Sequence, residues 1–270
     1  MADRSHFLIR SGRGRGSSWI DVGTYLFLMG CLSWLLVRGS HGLGYHWHWY
    51  RVPVYLLRTE GTAIHPGPLL QGLAVTLKIS GISLILAFAI GLFTALLRLS
   101  GSFLGQTLAR AYLETVRNTP LLVQLFFIYF VAAPVLGIQA FASAVLALSL
   151  FEGAYASEIF RSGIVSIHRG QWEAARSLGL STWRIYWHVI LPQAFRHILP
   201  PLTGQGISLI KDSALVSTIS IYDLTMQGRA IISETYLVFE IWFTVAAIYL
   251  GLTFSLSLLV RRLEDWMRIV

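Results

Sequence analysis

Six long apolar runs govern what this sequence can fold into. They cover residues 19–37, 69–97, 121–138, 140–160, 189–210 and 237–260. Each run approaches or exceeds the roughly 20 residues that an α-helix needs to cross a bilayer. A membrane β-barrel would need alternating segments of about ten residues, and the sequence has none. With 55% hydrophobic and 13% charged residues, the chain is also too apolar for an ordinary soluble domain. We predict an all-α integral membrane protein with about six transmembrane helices.

Basic residues are distributed unevenly among the segments that join these runs. If the amino terminus lies inside, the inner segments hold fifteen arginines and the outer segments hold five arginines or lysines. Inner loops of membrane proteins carry such an excess, so we expect both termini in the cytoplasm. This orientation predicts a basic cytoplasmic tail (1–18), an N-terminal transmembrane helix (19–38), an outer segment (39–68), a helical core (69–260) with a cytoplasmic loop (162–192), and a cytoplasmic C-terminus (261–270).

The first apolar run has a second interpretation, which is a cleavable signal peptide. A small-residue cleavage site would be expected after such a peptide. The chain continues instead with Arg38-Gly39-Ser40-His41 and soon reaches aromatic residues. We therefore predict that this helix stays attached.

The sequence offers little material for a metal, cofactor or catalytic site. Cys31 is the only cysteine, which excludes an intrachain disulfide and a cysteine-based metal site. Neither Lys78 nor Lys211 follows glycines in the pattern of a phosphate-binding loop. Histidines in the outer segment are spaced apart and have no thiolate beside them, so they favour the membrane interface over a metal site. These histidines are His41, His46, His48 and His65. We predict no metal, no bound cofactor and no catalytic residue in this chain.

The cytoplasmic loop carries its own helix signals. Residues 171–178 are good helix formers, and Gly179 stands where a left-handed cap would end a helix. Ser181 is a suitable N-cap for a second helix over 182–190, and Pro192 suits the first turn of the next span. The loop is therefore predicted to form two short helices that meet at Gly179.

The first of these helices has a surface suited to docking. Trp172, Ala175 and Leu178 recur at three-residue spacing and form an apolar face, and Glu173 and Arg176 beside it form a possible ion pair. A shallow helix between two spans is suited to a groove on a partner. The predicted docking residues are Gln171, Trp172, Glu173, Ala174, Ala175, Arg176, Leu178 and Gly179.

The spacing in this loop resembles a known family. Glu173-Ala174-Ala175, three residues, Gly179, nine residues and then Val189-Ile190-Leu191-Pro192 resemble the EAA loop of ATP-binding-cassette importer permeases, with valine in place of the usual isoleucine. Four further segments are similar to polar amino-acid permeases: GLAVTLKIS (72–80), RNTPLLVQLFF (117–127), GAYASEIFRSG (153–163) and LPQAFRHILPP (191–201). The chain departs at 211–215, where KDSAL replaces the family's Lys-Asp-Thr-Ser-Leu.

The resemblance implies a specific function. It implies a bacterial inner-membrane subunit with a five-helix core, here with an extra N-terminal helix and a periplasmic segment at 39–68. Such a subunit imports a polar amino acid by alternating access and is not itself an enzyme. The implied partners are two copies of an ATPase that binds ATP and Mg, a second permease of the same or a different sequence, and a periplasmic amino-acid-binding protein.

Polar residues at membrane depth form a candidate substrate pathway. Glu152 lies deep in the fourth run, where its carboxylate either meets a substrate ammonium group or is buried as a hydrogen-bonded acid. Glu158 and Arg161 are expected to pair near the cytoplasmic end of the run. Lys211 and Asp212 form either an ion pair at an outer gate or a solvated pair. The predicted pathway residues are Asn118, Thr119, Gln124, Glu152, Tyr155, Ser157, Lys211 and Asp212.

Three other functions are alternatives to this one. A DNA-binding helix-turn-helix is disfavoured because the second loop helix presents Trp183, Ile185, Tyr186 and Trp187 in place of base-reading side chains, so no nucleic-acid partner is expected. An intramembrane enzyme lacks any H-E-x-x-H or G-x-S-x-G motif. The remaining alternative is an ATP-independent channel or permease built on the same helices.

Overall fold

The computed structural model describes residues 15–42, 45–60 and 63–268, which fall into two separate units. The first unit ends at Trp47 and contains helix α1 (Arg15–Gly42). Its most apolar stretch, Val22–Leu35, lies within the predicted N-terminal transmembrane helix. Most of the predicted basic tail, with Arg4, Arg10 and Arg13, lies outside the described residues.

In the second unit, His48–Val270, the regular structure of the described residues is helical except for one small hairpin. It begins with a 3-10 turn (Trp49–Arg51), α2 (Pro53–Leu56) and an antiparallel hairpin of β1 (Leu57–Glu60) and β2 (Ala63–Pro66). Then follow α3 (Pro68–Leu99), α4 (Phe103–Arg117), α5 (Leu121–Phe126), a π-helical segment (Phe127–Ala132), α6 (Ala133–Leu136) and α7 (Ala140–Val165). The chain continues with α8 (Arg169–Ser177), α9 (Thr182–Ile185), a second π-helical segment (Tyr186–Ile190), α10 (Leu191–Asp212), a 3-10 segment (Ser213–Ile219), α11 (Leu224–Thr235) and α12 (Val238–Arg268).

Several of these helices are long and apolar enough to cross a membrane. Within the described residues, α3, α7 and the Val238–Arg262 part of α12 meet that requirement singly. A fourth span arises if α4 and the helical stretch Leu121–Leu136, which are bent by 105°, count as one. The all-α membrane fold is thus confirmed, while the number six stays a prediction.

Helices α3 and α7 form the centre of the second unit. The side of α3 that is buried carries small and polar residues at helical spacing, among them Gly72, Thr76, Ser83, Ala87 and Gly91. Small residues let membrane helices approach closely. A Cβ added at Gly91 would stand only 2.7 Å from the Cβ of Ala156 and 3.0 Å from the carbonyl oxygen of Gly153. The two backbones therefore meet with almost no side chain between them.

Two apolar clusters surround this contact. One lies around Ile79, Leu125, Leu148 and Leu209, and joins α3, α5, α7 and α10. The other joins α7, the loop helices and α10, through buried residues that include Ile164, Ala175, Ile185, Ile190 and Ala194. The predicted cytoplasmic loop is thus packed against the helical bundle rather than standing apart from it.

The turn from α4 to α5 is fixed by local sequence. The Ser102 hydroxyl caps α4 by accepting a hydrogen bond from the Gly105 amide at 3.2 Å. The helix ends before Pro120, which lacks an amide hydrogen and disfavours helical conformation in the residue before it. Pro120 lies at the 105° bend between the two helices.

Candidate functional site

The 162–192 loop contains the predicted helix stop at Gly179. Helix α8 ends at Ser177, and Gly179 takes a left-handed conformation with φ of +71°. Its amide donates to the carbonyl of Arg176 at 2.9 Å, and the Leu180 amide donates to the carbonyl of Ala175 at 3.2 Å. These two bonds form a Schellman cap, which satisfies carbonyl groups at the end of a helix. The predicted left-handed cap is confirmed.

The second loop helix differs from the prediction in its length and cap. Residues 182–190 are helical, but the helix passes through the π-helical segment directly into α10. Ser181 precedes the helix, yet its side chain makes no capping hydrogen bond. The rings of Trp172 and Tyr186, 5.1 Å apart and edge to face, join α8 to this continuous helix. The loop is therefore a braced pair of helices rather than two free ones.

The outer surface of α8 is more polar than the sequence suggested. Ala175 is only 3% exposed, so the prediction that it faces a partner is wrong. Trp172 is half-buried against Tyr186, whereas Leu178 is 79% exposed. The buried part of the apolar face thus holds α8 against its own chain. The exposed docking candidates are Gln171, Glu173, Ala174, Arg176, Leu178 and Gly179.

The possible Glu173–Arg176 ion pair is absent from the part of the chain that the structure describes. The ion pairs within 4.0 Å that the structure shows are centred on Glu158 instead. Glu173 and Arg176 are therefore exposed to solvent or to a partner.

Glu158 is the centre of an arginine cluster. The predicted Arg161 partner is confirmed, with its Nη2 2.6 Å from Glu158 Oε1. Arg98 Nη1 lies 2.5 Å from the other carboxylate oxygen, and Arg117 Nη1 is 3.9 Å from the same oxygen. The cluster ties the ends of α3 and α4 to α7. Sequence reasoning missed Arg98 and Arg117, because nothing local brings residues on three helices together.

Glu152 occupies a different environment, about three turns into α7. Its side chain is 1% exposed and accepts a hydrogen bond from the side-chain amide of Gln205 on α10. The Asp212 carboxyl group lies close enough to interact with it electrostatically. Within the described residues, Glu152 Oε1 and the hydroxyl of Ser157 are buried without a hydrogen-bond partner. Buried polar atoms of that kind call for a ligand or water.

Gln205 was not among the predicted residues, although the sequence held a signal for it. It precedes Asp212 by seven residues, which is two helical turns, so both side chains project from one face of α10. Lys211 is exposed, and no Lys211–Asp212 ion pair within 4.0 Å occurs among the described residues. Of the two alternatives, the close Lys211–Asp212 ion pair is therefore not formed, because Asp212 turns towards Glu152.

The remaining pathway candidates lie around the 105° bend. Gln124 donates to the carbonyl of Val116 at 2.7 Å and to the hydroxyl of Thr119 at 2.8 Å, so both side chains mainly brace the turn. Asn118 donates to the carboxylate of Glu114 at 2.9 Å. Tyr155 lies on α7 opposite this bend, and Arg117 stands over its ring at 5.7 Å. The predicted residues therefore form two groups, one around Glu152 and one at the bend.

Comparison with known proteins agrees with this architecture. Residues 87–269 match the family described as the binding-protein-dependent transport system inner membrane component. The chain belongs to this family. It is a multi-pass membrane protein of the importer-permease type, and the Glu-Ala-Ala loop with its capped glycine lies within the matched region.

Individual relatives cover most of the chain. The glutamine transport system permease protein GlnP of Escherichia coli (strain K12) is 41% identical over 220 residues, which are 79% of this chain and 100% of that protein. The nopaline transport system permease protein NocM of Agrobacterium fabrum is 39% identical, over 74% of this chain and 87% of its own length.

Solved structures share the fold. A crystal structure of an amino acid ABC transporter with histidines has a TM-score of 0.70 and 40% identity, covering 73% of this chain and 93% of that chain. The MetNI methionine ABC transporter in an inward-facing conformation is 20% identical with a TM-score of 0.61, covering 73% and 94%, and is similar in fold alone.

Proposed function

We propose that this permease subunit imports a polar amino acid from the periplasm into the cytoplasm by alternating access, driven by a separate ATPase that docks on the 162–192 loop. The observation that carries the proposal is the braced loop. It combines the Glu173-Ala174-Ala175 sequence, a glycine-capped helix and an exposed surface around Leu178 in a chain of the importer-permease family. Relatives named for glutamine and nopaline transport support a polar amino acid as the substrate.

The mechanism follows from how the loop is attached. The ring of Trp172 on α8 packs against Tyr186, and the helix that contains Tyr186 continues into α10. A displacement of α8 is therefore transmitted to α10 without an intervening flexible segment. Helix α10 also carries Gln205 and Asp212, which stand at Glu152. Closure of the ATPases would then move one wall of the Glu152 site relative to α7, which is rigid-body coupling between two states.

In this proposal Glu152 and its neighbours contact the substrate within the membrane. A buried carboxylate with an unpartnered oxygen, beside a second carboxyl group, suits the ammonium group of an amino acid. Lys211, Tyr155 and Ser157 would border the same route, with Asn118, Thr119 and Gln124 at the bend. The chain would work with two ATPase copies that bind ATP and Mg, a second permease, and a periplasmic amino-acid-binding protein, with both of its termini in the cytoplasm.

Reconstitution tests the proposal directly. The permease is purified with its ATPase, placed in proteoliposomes with the binding protein outside, and supplied with a labelled amino acid. We expect uptake that requires ATP inside the vesicles. Uptake at full rate without ATP would favour the channel alternative and refute the coupling role of the loop.

The orientation is tested by labelling. Cys31 is the only cysteine of the chain, so the Cys31→Ser variant gives a cysteine-free background for single probes. A cysteine at Leu178 should react with an impermeant reagent only when the cytoplasmic side is accessible. Reaction from the periplasmic side in intact cells would place the loop out of reach of an ATPase.

A further inference from the structure

A polar cavity that opens at the protein surface lies at the bend, apart from the Glu152 site. It has a volume of about 240 Å³ and is lined by Leu113, Glu114, Arg117, Asn118 and Tyr155, from the end of α4 and the facing side of α7. Water takes about 30 Å³ in the liquid. The cavity therefore has room for a molecule the size of a small amino acid. Glu152 does not line it.

Arg117 brings a positive charge to this cavity, because within the arginine cluster it makes only a long ion pair with Glu158. The two carboxylate oxygens of Glu158 already accept hydrogen bonds from Arg98 at 2.5 Å and from Arg161 at 2.6 Å. Arg117 stands 3.9 Å from Glu158, beyond hydrogen-bond distance, and its side chain is 45% exposed. Three guanidinium groups thus surround one carboxylate, which leaves an excess of positive charge beside the cavity.

The cavity also holds a negative charge. Glu114 lines it, and one of its carboxylate oxygens accepts from the Asn118 amide at 2.9 Å, which fixes the carboxylate within the cavity wall. A simple anion in this site would be repelled by Glu114, and a simple cation would be repelled by Arg117. A zwitterion meets two opposite charges, with its carboxylate at Arg117 and its ammonium group at Glu114. Leu113 and the ring of Tyr155 supply the apolar part of the wall.

We propose that this cavity is a second binding station for the transported amino acid, which recognises the α-carboxylate through Arg117 and the α-ammonium group through Glu114. The inference rests on the proposed function, since it takes an amino acid to be the substrate. Tyr155 lies one helical turn from Glu152 on α7, so the station follows the Glu152 site along the same helix. The ligand class is a free α-amino acid; a decarboxylated amine or an α-carboxamide lacks the group that Arg117 binds.

A cysteine inside the cavity gives a local readout. In the permease–ATPase complex, the Cys31→Ser background receives Asn118→Cys, and the rate of alkylation by a small maleimide is measured with glutamine, its decarboxylated amine or its α-carboxamide present. We expect glutamine to slow the labelling, and the other two to need a concentration about tenfold higher for the same protection, because each lacks a charge-assisted contact.

Variants assign the effect to the two charged residues. Arg117→Gln should abolish the preference for glutamine over its carboxamide, and Glu114→Gln should abolish the preference over an N-acetylated analogue. Arg110→Gln is the matched control, since Arg110 is an exposed arginine on α4 that does not line the cavity, and it should leave protection unchanged.

The outcomes separate this inference from the proposed function. The second station would be overturned if all three compounds protected the cysteine equally, or if phosphate or chloride alone protected it. It would also be overturned if Arg110→Gln reduced protection as much as Arg117→Gln does. If ATP-dependent uptake of glutamine persists in that case, only the station is refuted. If the unlabelled complex transports no amino acid, the proposed function itself fails.

Discussion

A substitution at Gly179, the left-handed glycine of the loop, can separate the effect of backbone strain from the effect on ATPase docking. Gly179 has φ of +71°, and a Cβ built there meets no atom of this chain within 4 Å. In Gly179→Asp the cost within the chain is therefore conformational alone, about 1 kcal/mol for an L-residue in this region. For a chain of this size such a loss lowers the melting temperature by about 2–4 °C. The variant should fold and insert into the membrane.

The functional effect should be much larger than this strain. An added carboxylate at the centre of the proposed docking surface places a desolvated charge in the ATPase interface, and we expect ATP-dependent uptake in proteoliposomes to fall at least about tenfold, the equivalent of about 1.4 kcal/mol of coupling. The membrane complex should still be recovered by size-exclusion chromatography, with ATP hydrolysis no longer stimulated by the loaded binding protein.

Gly137 provides the matched control. It ends α6 with φ of +67°, and its Cβ would also meet nothing within 4 Å. Gly137→Asp introduces the same side chain into the same backbone conformation, far along the chain from the loop. We expect the same small change in melting temperature with uptake retained. Normal uptake by Gly179→Asp, or an equal loss in both variants, would refute the docking argument.

Further variants test the interior of the bundle and the loop surface. Glu152→Gln should change the kinetics of uptake more than Glu158→Gln does, because Glu152 is buried with an unpartnered oxygen, and equal kinetic effects would contradict this. Glu158→Gln should instead lower the free energy of unfolding by about 1–3 kcal/mol through its lost arginine contacts, measured by thermal unfolding in detergent. Gly91→Val should cost about 1–3 kcal/mol by overpacking against Ala156, whereas Gly81→Val in the same helix meets open space; similar melting temperatures for the two would show that the α3–α7 contact can relax. Leu178→Ala should weaken binding of the ATPase, measured by co-purification, without changing the melting temperature, and a large thermal shift would mean that Leu178 stabilises its own chain.

The sequence predicted those features that depend on local composition. Long apolar runs gave the positions of α3, α7 and α12, and the helix stop at Gly179 followed from its place after a run of helix formers. The pairing of Glu158 with Arg161 followed from a three-residue spacing on one helix. Each of these features depends on residues that are close in the chain, so helix periodicity and local composition are enough to predict it.

Features that depend on distant residues could not be read in this way. Arg98 and Glu158 are separated by 60 positions, and Gln205 and Glu152 by 53, so only the packing of α3, α7 and α10 brings them together. The burial of Ala175 depends on the direction in which α8 folds back on Tyr186, which one helix's pattern of apolar residues does not determine. Helix α4 was overlooked because it is amphipathic, and a search for uniformly apolar runs passes over it.

The near-direct contact of two backbones at Gly91 and Gly153 limits how this molecule can change shape. With no long side chains between them at this contact, α3 and α7 pack closely and have little space to shift against each other. We expect this pair to travel as one block through the transport cycle. The relative motion would then occur outside this pair, at the contact between α7 and α10 where Gln205 donates to Glu152.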